Sequence, residues 1–353
     1  MNKYISFIKY ETIPYWRSKR KHLSTQMREC RELWKYYHCV PYHYFKHRLY
    51  ERSASTDIVD YVPPELVNEY QRRANPEHLA WMVHDKFETA KYLRKAGVPC
   101  VRTFLKISAQ HDFVDQSGCA LASPRLALEQ LIDAPEDLFM KPVAGGVGEG
   151  ARLVSKKDID ISFLQSVSDV LIQPRLRNHL ALLGIFDKSL NTVRIVTLRE
   201  GENVTLTAAC LKVGQGKAYV DNWAKGSIAI GIDLQTAALA SVGATKAAFG
   251  RLLLSVHPDS GVRFEGIRLP FWDEVLDTAR RGARALSPHV TLGWDIAITP
   301  EGPVVLEANV RADFFLLQEA CGPLGKTRLA EVARQLWFES RRFHDERSSA
   351  RVQ

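Results

Sequence analysis

A lysine that closes an apolar run and is followed by four glycines within six residues is the tightest constraint in this 353-residue chain. The stretch from Phe139 to Gly150 reads FMKPVAGGVGEG, with glycine at 145, 146, 148 and 150. Such a loop lets bare backbone N–H groups approach an anion, and the preceding lysine adds a fixed charge. The residues on its far side decide its class: 151–155 (ARLVS) read as a strand. A dinucleotide-binding G-x-G-x-x-G opens a helix instead, and a Walker loop needs G-x-x-x-x-G-K-[ST]. The nearest match to the latter, ACGPLGKT at 320–327, has Ala320 where the first glycine must stand. Strand, glycine loop and strand together make a flap that can lie over phosphates.

Around this flap the hydrophobic pattern predicts an α+β chain in four parts. Residues 1–75 read as a helical, basic and aromatic leading region that ends after the Pro63-Pro64 turn. Residues 76–176 begin with a helix carrying Phe87, Ala90, Leu93 and Ala96 and closed by Gly97 and Pro99, and continue through strands at 101–107, 138–143, 151–155 and 170–173. Residues 177–335 hold longer strands at 192–198, 204–213 and 228–234, which look like an antiparallel meander. A helix at 271–286 and a closing hairpin at 291–307 complete this part. Residues 336–353 read as a polar tail.

Charge is distributed unevenly. Residues 1–52 hold twelve Lys and Arg against four acids, which accounts for the whole formal charge of +8 and leaves the remainder neutral. This segment is interleaved with aromatics, so it is either a helical extension packing its rings on the main body or a face for an anionic lipid surface or an acidic partner. No apolar run approaches the ~18 residues of a membrane span and the N-terminus lacks a secretory pattern, so a cytoplasmic location is expected. The six cysteines are dispersed without a C-x-x-C pair, which suggests neither zinc nor a disulfide framework. No zinc-finger, RNP-type or basic-zipper string appears, and nucleic acid is not an expected partner.

The hairpin GWDIAITPEGPVVLEAN places Asp295 near the end of one strand and Glu307 and Asn309 on one face of the next. Antiparallel pairing would bring these three oxygen donors together, a set suited to magnesium. Spacing alone leaves open that they are ordinary polar positions at a hairpin end.

Taken together, these elements resemble a family. His84-Asp85-Lys86 opening a helix, Gly97-Val98-Pro99 closing it, Lys141-Pro142 with the four glycines, and Gly293-Trp294-Asp295 with Glu307-Ala308-Asn309 follow the order and spacing of ATP-grasp enzymes over about residues 80–320. Tyr44-Phe45, Leu49-Tyr50, Asp221-Asn222-Trp223 and the closing hairpin look more narrowly like the sugar-transfer-associated group related to α-L-glutamate ligases. The resemblance implies two α+β subdomains clamping ATP. Lys86 and Lys141 would meet its phosphates, Gly145, Gly146, Gly148 and Gly150 would cover them, and the strand Leu171, Ile172 and Gln173 would face adenine. Asp295, Glu307 and Asn309 would hold Mg2+, and Arg194 would face the phosphates or an acyl phosphate. Two departures stand out. No acid follows the hinge to hold the ribose, and Arg311-Ala312-Asp313 follows Asn309, so that Arg311 is a candidate for pairing with a substrate carboxylate.

The implied activity is an ATP- and Mg-dependent ligase that joins a small-molecule carboxylate to an amine through an acyl phosphate, in surface-saccharide or natural-product biosynthesis. The alternatives are a kinase on the same scaffold, acting on a sugar or small-molecule hydroxyl, and a nucleotide-binding adaptor. A homodimer is compatible with each. No Ser-His-Asp or Cys-His set is evident, and His84 reads as a packing or capping residue.

Overall fold

The structure, a computed structural model, describes residues 15–16, 18–54, 56–145, 150–216, 223, 226–246 and 253–349, with side chains as far as residue 340. Gly146, Gly148, Asp221 and Asn222 lie outside the described residues.

The leading region forms helices α1 (Leu23–Tyr37), α2 (Tyr42–Lys46) and α3 (Pro64–Ala74), and the short α4 (Trp81–His84) precedes α5 (Lys86–Lys95). Asp85 starts α5 by accepting from the backbone N–H groups of Phe87 and Glu88 at 2.8 and 3.1 Å, which satisfies two of the donors a helix N-terminus leaves open. His84 is exposed and Asp85 takes the capping role. The smaller sheet comes next: β1 (Leu105–Ile107), β2 (Phe113–Asp115), β3 (Ala120–Leu121), helix α6 (Pro124–Glu129), β4 (Asp137–Pro142), β5 (Arg152–Ser155), helix α7 (Ile161–Ser166) and β6 (Val170–Pro174). Its order is β3-β2-β1-β6-β4-β5, every pair antiparallel. One face packs Leu105, Leu138, Met140 and Ile172 against Ala127 of α6 and Leu164 of α7. On the other face, Leu171 meets Phe87 of α5 and Val143.

The larger sheet comes after α8 (Leu180–Leu183): β7 (Thr192–Glu200), β8 (Asn203–Val213), β9 (Ile228–Ile232), β10 (Leu239–Ala244) and β11 (Leu253–Leu254), then helix α9 (Trp272–Ala285) and the hairpin β12 (Thr291–Thr299) and β13 (Gly302–Asn309). Helices α10 (Phe314–Cys321) and α11 (Arg328–Ser349) complete the chain, the latter running through most of the stretch expected as a polar tail. The sheet order is β11-β10-β9-β8-β7-β12-β13. The meander is therefore present, and the hairpin adds to the free side of β7. The sequence pattern predicts alternation in these strands, yet β12 is buried along its whole length. The reason is that the sheet is covered on both faces. Leu292, Trp294 and Ile296 join Val193, Ile195 and the α9 residues Val275 and Ala279 in one core. Val196, Ala208 and Cys210 join Leu33, Tyr37, Tyr44 and Tyr50 of the leading region and Leu317 and Leu329 of the last two helices in the other. The leading region thus packs its buried rings into the body of the protein.

The sheets meet at a short seam. Val101 N–H donates to Val305 O at 3.1 Å, and Val305 N–H to Pro99 O at 3.0 Å. Among the described residues, no helix is long and apolar enough to cross a membrane. None of the six cysteines is in a disulfide among the described residues.

Candidate active site

Between the two sheets lies a cavity of about 590 Å³, within the range of small-molecule sites. Its walls carry Phe139, Lys141, Leu153, Gln173 and Pro174 from the smaller sheet, Thr192, Arg194, Lys212, Asp295, Glu307 and Asn309 from the larger, and Lys86, Gly145, Trp223 and Leu316 from the connecting pieces.

The larger sheet positions its charges by register. Arg194 lies opposite Asp295 across the β7–β12 pair, and Asp295 lies opposite Glu307 across the β12–β13 pair, with Gly293 opposite Asn309. A bulge after Asp295 shifts the β12–β13 register there. Side chains repeat every second residue, so Arg194 and Asp295 occupy the sheet face opposite the Trp294 core. Arg194 donates from Nε to Asp295 Oδ1 and from Nη2 to Oδ2, both at 2.7 Å, and Lys212 Nζ stands 3.0 Å from Oδ1. Burial opposes ionisation of Asp295, but Arg194 and Lys212 outweigh it and hold the carboxyl well below the usual carboxylate range. Burial likewise opposes the charge on Arg194, and Asp295 outweighs it and raises the guanidinium pKa. Glu307 moves the other way: burial and the nearby Asp295 carboxylate raise its pKa, against the opposing pull of Lys141 and Lys86. Asn309 Nδ2 approaches Glu307 Oε1 at 3.5 Å.

The smaller half supplies lysines that, among the described residues, donate to backbone carbonyls rather than to carboxylates. Lys141 extends from β4 and donates to Leu306 O at 3.3 Å across the gap between the sheets. Burial, reinforced by Lys86 and opposed by Glu307, pulls it down to about 8. Lys86, at the start of α5, donates to Gly145 O at 2.6 Å, while its own N–H donates to Val143 O. The helix start and the mouth of the glycine loop are therefore tied together. Gly145 and Gly150 both have positive φ, +103° and +71°, and a Cβ at Gly150 would sit 3.0 Å from Pro142 Cγ. These positions use the conformational freedom of glycine directly.

Of the described candidate residues, Lys86, Lys141, Gly145, Gln173, Arg194, Asp295, Glu307 and Asn309 share the cavity wall and Gly150 lies outside it, with three further differences from the expected set. Leu171 and Ile172 do not line the cavity: β6 is interior, paired with β1 on one side and β4 on the other, and Ile172 O accepts from Phe104 N–H. Of the expected adenine strand only Gln173 reaches the cavity, its amide held by Thr103 Oγ1 at 2.9 Å, with Pro174, Arg175 and Leu176 after it. Arg311 is exposed and outside the cavity wall, whereas Asp313 lines it and caps α10 by accepting from Leu316 N–H. Lys212 is the residue that sequence reasoning missed. Its signal is there: a lone lysine in the apolar run VTLTAACLKV must find a counter-charge if the strand is buried.

Two antiparallel sheets with four cations, Lys86, Lys141, Arg194 and Lys212, facing one cavity between them are the arrangement of an ATP-grasp fold. Residues 161–334 match the family model for sugar-transfer associated ATP-grasp proteins. No curated protein shows significant similarity to the chain. Among solved structures, the chain is similar to the ATP-grasp ligase PsnB complexed with minimal precursor (19% identity, TM-score 0.41, 74% of this chain and 64% of that one). It is also similar to the L-amino acid ligase from Bacillus licheniformis (12%, 0.41, 70% and 49%) and to the D-alanine-D-alanine ligase from Coxiella burnetii (13%, 0.41, 80% and 69%). The chain spans about half to two thirds of the length of the first two proteins.

Proposed function

We propose that the protein is an ATP- and magnesium-dependent ligase that activates a carboxylate as an acyl phosphate and joins it to an amine. The observation that carries this reading is the convergence of four cations from two sheets on one cavity that also holds Glu307 and Asn309. Lys86 and Lys141 would bind the phosphates from one side. Arg194 and Lys212 would face the transferring group from the other, fixed in place by Asp295 so that little reorganisation is needed as charge moves.

The donor set fits magnesium. Glu307 is a half-buried carboxylate destabilised by a second carboxylate, the situation a divalent cation relieves, and the Asn309 side-chain amide two residues along the same strand carries a neutral oxygen. Asp295 already has its charge matched by Arg194 and Lys212, so Glu307 and Asn309 would be the main protein ligands, with Asp295 contributing its remaining lone pairs. When bound, the ion would neutralise phosphate oxygens and stabilise charge in phosphoryl transfer.

The test combines Glu307→Gln with Asn309→Ala and measures acceptor-dependent ADP release. The double variant should lose magnesium-dependent turnover by at least about 10³-fold while unfolding as cooperatively as the wild type. Full retained activity would sink the assignment. Products decide between chemistries: an amide supports ligation, whereas a stable phosphoester would replace it with hydroxyl phosphorylation.

A further inference from the structure

The leading helices bury one set of aromatics and leave another in solvent. Trp16 is 67% exposed, Leu23 62%, Met27 65% and Trp34 56%, although the same segment places Leu33, Tyr37 and Tyr44 at 0%. At 100° per residue, Leu23, Met27 and Trp34 fall within about 40° of one another around α1, a continuous apolar stripe beside the buried face of Gln26, Glu29, Leu33 and Tyr37. Arg31, Lys35 and Arg28 come next around the helix, all exposed, with no ion pair among the described residues. Glu32 is the one exposed acid on α1, since Glu29 is buried and paired with Lys21 at 2.9 Å. Trp16 extends the surface: it lies edge-on to Tyr15, whose hydroxyl donates to Gln26 on α1, and Arg20 stacks on both rings at 4.5 and 4.7 Å.

We propose that this face of α1 docks the protein on the surface of an anionic lipid bilayer. Three features select that occupant. A Leu-Met-Trp stripe flanked by unpaired Arg and Lys is the composition of a helix lying in the headgroup plane, where apolar chains enter the acyl boundary and basic chains meet phosphate. Indole rings favour the interface because one edge is apolar and the other carries a donor. The whole formal charge of +8 resides in residues 1–52, so the charge is concentrated in the segment that holds the stripe, and none of the described residues of that segment lines the cavity. The helix is anchored below: Tyr44 Oη donates to Glu29 at 2.6 Å, and Tyr37 and Leu33 sit in the core shared with α10. Docking through α1 would therefore hold the body of the protein at the membrane through the core that α1 shares with α10.

The full chain is tested by sedimentation with vesicles of phosphatidylcholine alone and of phosphatidylcholine with about one third phosphatidylglycerol. Wild type should bind the anionic vesicles at least about tenfold more strongly than the neutral ones, and salt should weaken that binding. Met27→Ser with Trp34→Ser should remove binding to both vesicle types. Arg28→Glu, Arg31→Glu and Lys35→Glu together should remove the preference for the anionic ones. All five side chains are exposed, and unchanged thermal unfolding confirms the fold of each variant. Absence of vesicle binding by the wild type, or equal binding by the stripe variant, overturns the proposal. So does light scattering showing a wild-type dimer that the stripe variant converts to monomer, because the stripe would then be a subunit contact.

Discussion

The two walls of the cavity hold their cations by different means. On the larger sheet, Arg194 and Lys212 converge on Asp295 through three contacts of 2.7 to 3.0 Å, all set by the register of neighbouring strands. On the smaller half, Lys141 and Lys86 point at backbone carbonyls, Leu306 O and Gly145 O. One wall is a largely buried charge network that is matched before anything binds. The other presents cations that meet backbone carbonyls and only the single carboxylate of Glu307, so most of their charge is matched when an anion arrives. Stability and binding should therefore respond oppositely to mutation on the two sides.

The largest effect should come from Asp295→Ala. It leaves Arg194 and Lys212 buried without their counter-charge and should cost about 3–5 kcal/mol in denaturant unfolding. ATP should restore part of the loss, because its phosphates replace the missing charge and bind only the folded state. A cost below that of an average surface substitution would show that the network is not what orders this wall.

Lys141→Met should do the reverse. In the folded protein Lys141 titrates at about 8 rather than 10.5, so its charged form is disfavoured there. The folded-state pKa is lowered, so stability is lost as pH falls from 10.5 to 8 and stays lost below that. At pH 7 the Met variant should be more stable than the wild type by on the order of 2–3 kcal/mol, with the gap closing toward the unfolded pKa. Nucleotide affinity should drop. In the wild type, kcat/KM for ATP should decline as pH rises through about 8, where Lys141 loses its proton, and Lys141→Arg should move that decline to higher pH. A Met variant less stable than the wild type at pH 7 would show that Lys141 is stabilised within the fold rather than held in waiting.

The smallest effect belongs to Gly150→Ala, at φ +71° and against Pro142. The strain should be about 1–2 kcal/mol, read as a small fall in unfolding temperature together with up to a roughly tenfold rise in KM for ATP. Equal kinetics would mean that the loop's backbone geometry at that end does not matter to closure.

Much of this site is legible from residue order. A lysine, glycine loop and strand exclude two other phosphate-binding designs, and Asp295, Glu307 and Asn309 come together because a hairpin with a short turn fixes its own register. The strand at 170–174 is legible too, but its depth is not. A continuous apolar run reads the same at a sheet edge and in a sheet interior, so the contact expected of Leu171 and Ile172 is one that pairing on both sides denies them. Arg311 is a candidate only through its proximity in sequence to Asn309, and chain proximity does not fix which way a loop residue points.

Local pattern, then, determined the elements, the two strands that flank the glycine loop and the acidic hairpin, since these depend on residues a few positions apart. Tertiary structure alone decided that β12 adds beside β7, that Lys212 on β8 reaches Asp295 from two strands away, and that the first helices bury one aromatic face and expose the other. The physical reason is common to all three. Strand order and burial are set by which surfaces meet after the chain has folded back on itself, and side-chain periodicity carries no record of the partner.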